Sequence, residues 1–541
     1  MRRRFPDLLV VLLLLVLPLL MFWQQTVGGK TLIPADNLYQ FQPYAAYRDQ
    51  VGAPATPYNA LVSDLVLENY QFKAFIRQNI AHGNFPLWNP YQFSGIPFFA
   101  AGQQSTLYPF SIIYYVLPLA NAYGWFMVSQ LWLAGIFMFL FMRGLRVGRS
   151  GALVAGVVYQ LSAFFVISAV FPMIVAAAVW LPLILLMIEF LIERRPALRG
   201  QPTVIPWLAL GAGALGCCTL AGHVEITYYT LIISAYYAVA RLLYEWWRAR
   251  HVVPLRENLR DLLPRGLIIA ALLALGVGLG AIQFIPTFED AQTNFRSDTA
   301  SFQQVLGWAN PPRDVIQFLM PNFYGSPAQH SYFDVFTGQT VSLTSTALQN
   351  ADGNPLTTID WGVERNYVES ALYVGILPLA LALYGLIRRR TPQQIIMALL
   401  GLAALTFMFG LPTYILVYIL PGINQLHSPF RWVFALTLAV ALLAGFGMDA
   451  LITEAEKWAK RFGVALIGVG VLTLAALLIS RLFYGQFAPL VEKAFTSLAL
   501  ATQAFSDARM FYSYEFLNVL IFAVIVLLSG IVFLIARYRR G

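Results

Sequence analysis

The chain has 541 residues, 59% of them apolar and only 11% charged, with a mean hydropathy of +0.65. An ordinary soluble domain carries about 25% charged residues, so the composition excludes a soluble enzyme and points to an all-α polytopic membrane protein. The net charge of +9 does not indicate nucleic acid as a partner, because Lys and Arg stand in small clusters at the ends of apolar runs, where they set membrane orientation. Cys217 and Cys218 are adjacent inside one such run, an arrangement that gives neither a disulfide framework nor a metal site.

In chain order, apolar stretches predict spans at 8–23, 122–142, 151–170, 173–192, 204–222, 224–244, 266–287, 368–387, 394–410, 430–450, 462–483 and 516–536. Each is about the length that crosses a hydrocarbon core, and helices are required there because unpaired backbone cannot face lipid. The first begins "MRRRFPDLLVVLLLLVLPLLMFW"; no small-residue cleavage site follows, so it is read as a retained helix. About twelve helices put both termini on one side. By position, 24 of the 35 Lys and Arg residues fall on that side, which is therefore expected to be cytoplasmic. The outer side then carries 24–121, 288–367 and 484–515, with a shorter segment at 411–429. Two apolar pieces bracketed by Pro, 107–118 and 411–422, are too short to cross and are expected to be interfacial or re-entrant.

Within the large first external loop, residues 59–81 place Leu61, Leu65, Phe72, Phe75, Ile76 and Ile80 among Asp64, Glu68, Lys73 and Arg77, a pattern that predicts an interfacial helix. Asp64 heads it, where a carboxylate also caps the helix. Asp36, in "TLIPADNLYQFQPY", heads a similar aromatic stretch. Two such segments supply one reactive carboxylate and one supporting carboxylate or ligand to a divalent metal; the residues leave open which is which. Arg431, in "NQLHSPFRW", stands at the outer start of the tenth span with His427 just before it. An interfacial Arg either snorkels or grips a lipid phosphate through two N–H groups. His223 and Glu225, in "AGHVEITYY", and Glu369 lie at predicted helix mouths, where ionisable groups face cavities. Trp88 and Asn89, in "PLWNP", offer the stacking and amide surfaces that suit a sugar, although aromatic belts produce the same residues. "GVGLG" (276–280) lacks the preceding strand and the Lys-Ser/Thr partner of a phosphate loop and is read as close helix packing.

With these residues in place, the cytoplasmic anchor, the Asp-headed external loop and the stretch "GNFPLWNPYQFSGIPF" resemble the YfhO-like bacterial membrane proteins of the GT-C glycosyltransferase superfamily. "GQQSTLYPF", "AGHVEITYY", "FLMPNFYG", "NYVESALYVGILPLALAL" and "HSPFRW" extend the resemblance thinly to about residue 450. It implies a GT-C-like core over 1–450 and further transmembrane helices, with the external loop 484–515, over 451–541. It also implies transfer of a sugar from a polyprenyl-phosphate donor to a cell-surface glycan, lipid or protein, at the external face of a bacterial plasma membrane. On that reading Asp64 or Asp36 would be the catalytic base, and Arg431 with His427 would hold the donor phosphate. His223, Glu225, Glu369, Trp88 and Asn89 would line the cavity. The superfamily often places a second acidic residue directly after the first, whereas Leu65 follows Asp64 here. The rival readings are a lipid or solute transporter, in which polar groups gather near the bilayer midplane, and a non-catalytic subunit of a surface-polymer assembly.

Overall fold

The computed structural model describes residues 5–195, 204–293, 299–362, 366–426, 428–453, 456–498 and 500–538. Among these, eight helices are long and apolar enough to cross a membrane: Leu119–Gly144, Arg149–Val170, Pro172–Ile192, Val224–Ala249, Leu255–Leu279, Pro429–Thr453, Lys457–Leu482 and Ala508–Ala536. Pro392–Met408 and Pro412–Tyr418 make a ninth if taken as one span, bent by 108° where the second Pro interrupts the helix. Three shorter apolar helices, Asp7–Met21, Ile205–Leu220 and Ile376–Arg388, stand where the remaining three of the twelve expected spans were placed. The helix expected from residue 368 begins only at Ile376. Gly375 there has φ +97°, a left-handed value that favours glycine and ends the preceding extended chain.

Burial separates centre from periphery. Pro172–Ile192 and Pro429–Thr453 are 89% and 83% buried over their most apolar windows, whereas Leu255–Leu279 and Lys457–Leu482 are each 17% buried. The first pair forms the middle of the bundle and the second presents apolar surface outward, as a lipid-facing helix must. Close approach relies on small residues. A Cβ on Gly447 would lie 1.9 Å from the Leu381 carbonyl oxygen, so the Ile376–Arg388 and Val433–Thr453 helices touch backbone to backbone, the packing mode favoured where both solvent and interior are apolar.

At one end of the bundle, buried charges tie helices together. Arg241 grips Glu189 through both carboxylate oxygens, at 2.9 and 2.8 Å, and Tyr237 and Gln393 donate to the same carboxylate. Asp449 accepts from the Gly148 N–H at 2.9 Å and from Arg389 at 2.8 Å. At the other end lie the long connections. Hairpin strands Ser331–Asp334 and Gln339–Ser342 pair antiparallel, and the short pair Gly325–Ser326 with Ile359–Asp360 sits beside them. Tyr324 and Trp361 pack with Phe505 and Phe511 into a second small core, so the connection before the last helix folds onto the 316–361 segment. The Glu456–Leu482 and Ala508–Tyr538 helices join the rest of the bundle through Phe462 and Phe533 against Tyr384.

Candidate active site

Five segments meet around a cavity of about 430 Å³. The first is the Asp64-headed segment. Residues Leu65–Asn69 form a single π-helical turn that runs into the Tyr70–Ala81 helix. Asp64 and Glu68, four residues apart, both line the cavity. π turns of this kind recur at functional sites, and this one is held in place: the Tyr123 hydroxyl donates to Asn69 Oδ1 at 2.8 Å.

The second segment is the loop at Ala101 and Gln103. It is pressed against the turn that precedes the Val224–Ala249 helix. Gly222 has φ +84°, and a Cβ there would lie 2.0 Å from the Gly102 carbonyl oxygen. Ser105 Oγ donates to the Ala221 carbonyl at 2.7 Å. From the opposite direction the buried Lys73 ammonium donates to the Gln104 carbonyl and lies 4.7 Å from the centre of the Tyr114 ring. The floor of the cavity is thus cross-linked by polar contacts to the helix that carries the carboxylates. Val170 to Ile174 close one side.

The remaining walls carry the other charged groups. His223 caps the Val224–Ala249 helix, its Nδ1 accepting the Ile226 N–H at 3.2 Å, so in the neutral ring the proton sits on Nε2. Glu225, two residues further on, accepts from the Tyr229 hydroxyl at 2.9 Å and is paired with Arg431. Arg431 arrives on the 3₁₀ turn Pro429–Trp432. Its side chain is 26% exposed against 7% for Glu225, so the guanidinium, anchored on one edge, keeps a face toward the cavity that it lines together with Gln425 and Ser428.

The titration behaviour follows from these positions. Burial first, and then the negative charge of Asp64, push the Glu68 carboxyl above the usual carboxylate range. Burial, reinforced by the positive charge of Arg431, holds His223 well below the ordinary histidine value. Burial alone brings Lys73 down to about 7. The site therefore combines two carboxylates on one wall with a neutral imidazole and a paired cation, the components of acid/base chemistry.

Of the residues singled out in the sequence, the structure brings Asp64, His223, Glu225 and Arg431 to this one cavity. Asp36 opens into a neighbouring cavity, where its Oδ2 accepts the Tyr58 N–H at 2.7 Å. Glu369 is half-buried in the turn at 366–370, its N–H bonded to Asn366 Oδ1, and its charge is felt by Arg431. Trp88 is 56% exposed, with its ring against Gly95. Asn89 is buried in a turn, bonded to Gln92 and Tyr91 and bridged to Ile96. Neither of the last two lines the Asp64 cavity. His427 lies outside the described residues. Glu68, Gln103 and Gln425 were not singled out. The i,i+4 spacing of Asp64 and Glu68 was the available signal for the first; nothing local marks the two amides. Among the described residues no group of three or more His, Cys, Asp or Glu is placed to hold a metal ion.

Residues 45–349, more than half of the chain, match the family described as bacterial membrane protein YfhO. No curated protein matches the chain. Among solved structures it is similar to ArnT from Cupriavidus metallidurans in the apo state, at 16% identity over 86% of this chain and 72% of that one, with a TM-score of 0.38. It is similar to the same protein bound to undecaprenyl phosphate at 14% identity over 85% and 73%, with a TM-score of 0.35. The archaeal oligosaccharyltransferase AglB from Archaeoglobus fulgidus matches at 10% identity over 97% of this chain and 56% of that one, with a TM-score of 0.35.

Proposed function

We propose that this chain, which belongs to the YfhO family of bacterial membrane proteins, is a GT-C-like glycosyltransferase that moves a sugar from a polyprenyl-phosphate donor to a cell-surface acceptor. The observation that carries this reading is the single cavity in which Asp64 and Glu68 meet Arg431. With the three shorter apolar helices counted as crossings, the spans number twelve, both termini are cytoplasmic and the cavity faces outward.

In the proposed reaction Arg431 receives the donor phosphate. Its pairing with Glu225 fixes the guanidinium before substrate arrives, so that its exposed face needs no reorganisation as charge develops on the leaving group. The acceptor hydroxyl attacks the anomeric carbon from the side away from the phosphate. The bond between that carbon and the phosphate oxygen breaks, and the phosphate leaves with the electron pair. Asp64 takes the acceptor's proton; it is preferred to Asp36 because it shares a cavity with Arg431, which Asp36 does not. Glu68, on the same wall, accepts a hydrogen bond from a sugar hydroxyl. The His223 Nε2–H is a donor.

The test is transfer of radiolabelled sugar from a polyprenyl-phosphate donor to membrane acceptors by intact protein and by Asp64→Asn, each checked for membrane insertion. Loss of a general base predicts a fall in rate of about 10²–10⁴-fold. Transfer by Asp64→Asn at the rate of the unaltered protein would overturn the assignment of the base. Labelling no greater than in membranes lacking the protein would overturn the enzyme reading.

A further inference from the structure

A second cavity, of about 560 Å³, lies beside the first. The two adjoin: Val170 lines both, and Asp64 lines the first while its neighbour Leu65 lines the second. Their chemistry differs. The first is mostly polar and contains Arg431; the second is walled by apolar side chains, among them Phe22, Ile33, Val62, Val166 and Val170. Its polar lining residues are Gln25, Thr31, Asp36, Tyr58, Asn59, Ser326 and Tyr367. Among the described residues Asp36 is the one charged residue in its lining, and no Lys or Arg joins it.

The second cavity is also placed at the edge of the bundle. Met21, at the end of the first helix, lines it and is 51% exposed. The same helix leaves Leu9, Leu13 and Leu20 exposed, the face a membrane helix turns to lipid. A lipid in the adjoining leaflet therefore has a lateral way in past Met21.

We infer that the second cavity seats the acceptor, and that the acceptor is a membrane lipid with an uncharged, hydroxyl-bearing headgroup. This assignment rests on the glycosyltransferase reading above. The apolar wall takes an aliphatic chain. The headgroup meets Asp36, whose Oδ2 is held by the Tyr58 N–H and whose carboxylate is an acceptor for hydroxyl groups. A phosphate-bearing headgroup is disfavoured, since it would be brought next to a carboxylate with no cation among the described lining residues to offset the repulsion. Charge thus sorts the two substrates: the anionic donor to Arg431, the neutral acceptor to the Asp36 side. The junction at Asp64 and Leu65 brings the acceptor hydroxyl to the base.

The experiment is photolabelling of the full chain in nanodiscs with two diazirine lipids of equal acyl length, a monoglycosyl diacylglycerol and a phosphatidic acid. The glycosyl probe is expected to label the 21–34 and 166–170 segments saturably, at least tenfold more than the phosphatidic acid does. Val62→Trp and, on a different element, Val166→Trp fill the cavity and should each reduce that labelling about tenfold. Asp36→Arg should reverse the headgroup preference. Equal labelling by the two probes, or undiminished labelling in both Trp variants when each melts as the unaltered protein does, would overturn the proposal. Because labelling needs no turnover, saturable labelling without sugar transfer would count against the enzyme reading and not against the lipid seat.

Discussion

Arg431 and Glu225 form one pair in which stability and the proposed binding of a donor phosphate have to be separated. With the carboxylate almost fully buried, removing the cation leaves a charge without its partner, which costs roughly 3–5 kcal/mol in buried pairs. Arg431→Ala therefore confounds folding with binding, and Arg431→Lys is the informative variant. A lysine keeps the charge but presents one ammonium where a planar fork reached two partners. It is expected to melt within a few degrees of the unaltered protein while raising KM for the donor by tenfold or more, measured by initial rates at varied polyprenyl-phosphate sugar. Lys73 supplies a different test. Its ammonium is buried against a carbonyl and an aromatic ring, and its pKa falls to about 7 from an ordinary 10.5. Between these values the unfolded chain holds a proton that the folded one has released, so this residue makes stability rise with pH through that window. Lys73→Met removes the effect. Melting temperatures of the two proteins across the window should converge as pH rises, with the variant's advantage greatest near neutrality; a constant difference would show that Lys73 stays charged in the fold.

Among the elements, the turn before the Val224–Ala249 helix is the most constrained. Gly222→Ala meets both a left-handed φ and a carbonyl oxygen 2.0 Å from the new Cβ, whereas Gly83, at φ +73°, has nothing within 4 Å. Gly83→Ala should cost about 1 kcal/mol, the backbone penalty alone. Gly222→Ala should cost several times more and increase proteolysis of the 95–105 loop, because the loop cannot stay where it is. Near-equal melting temperatures would disprove the close approach. Such contacts explain what the sequence could and could not reveal. The long apolar runs at 122–142, 173–192 and 430–450 are legible because lipid and a dry bundle centre both demand uninterrupted apolar length. The boundary at Gly375 is hidden, since its left-handed φ is a property of the folded turn and glycine also occurs within spans. Asp64, His223, Glu225 and Arg431 stand out as ionisable groups in a chain poor in them. Glu68 is less conspicuous, being one polar residue in an amphipathic pattern, and it acquires its environment only when a π turn brings it to the cavity beside Asp64. Trp88 and Asn89 lie off this cavity: the Trp88 ring packs on Gly95 and Asn89 bridges to Ile96.

At the scale of the whole molecule, charge organises the two ends of the bundle. The Glu189–Arg241 and Asp449–Arg389 ties lie at the end where Arg143, Arg149 and Arg388 also gather, and the two cavities and the strand pairs lie at the other. On the positive-inside tendency the first end would be cytoplasmic, and the proposed donor, acceptor and base would then meet outside. That orientation can be measured directly. Phe93, in the first long connection, is 93% exposed, and Val252, between the Val224–Ala249 and Leu255–Leu279 helices, is 84% exposed. With Cys217 and Cys218 replaced by Ala, Phe93→Cys should react with a membrane-impermeant maleimide in intact cells, and Val252→Cys only after the membrane is opened. If Val252→Cys reacts in intact cells and Phe93→Cys does not, the bundle is inverted. The Asp64 cavity would then face the cytoplasm, and a donor presented in the outer leaflet could not reach Arg431.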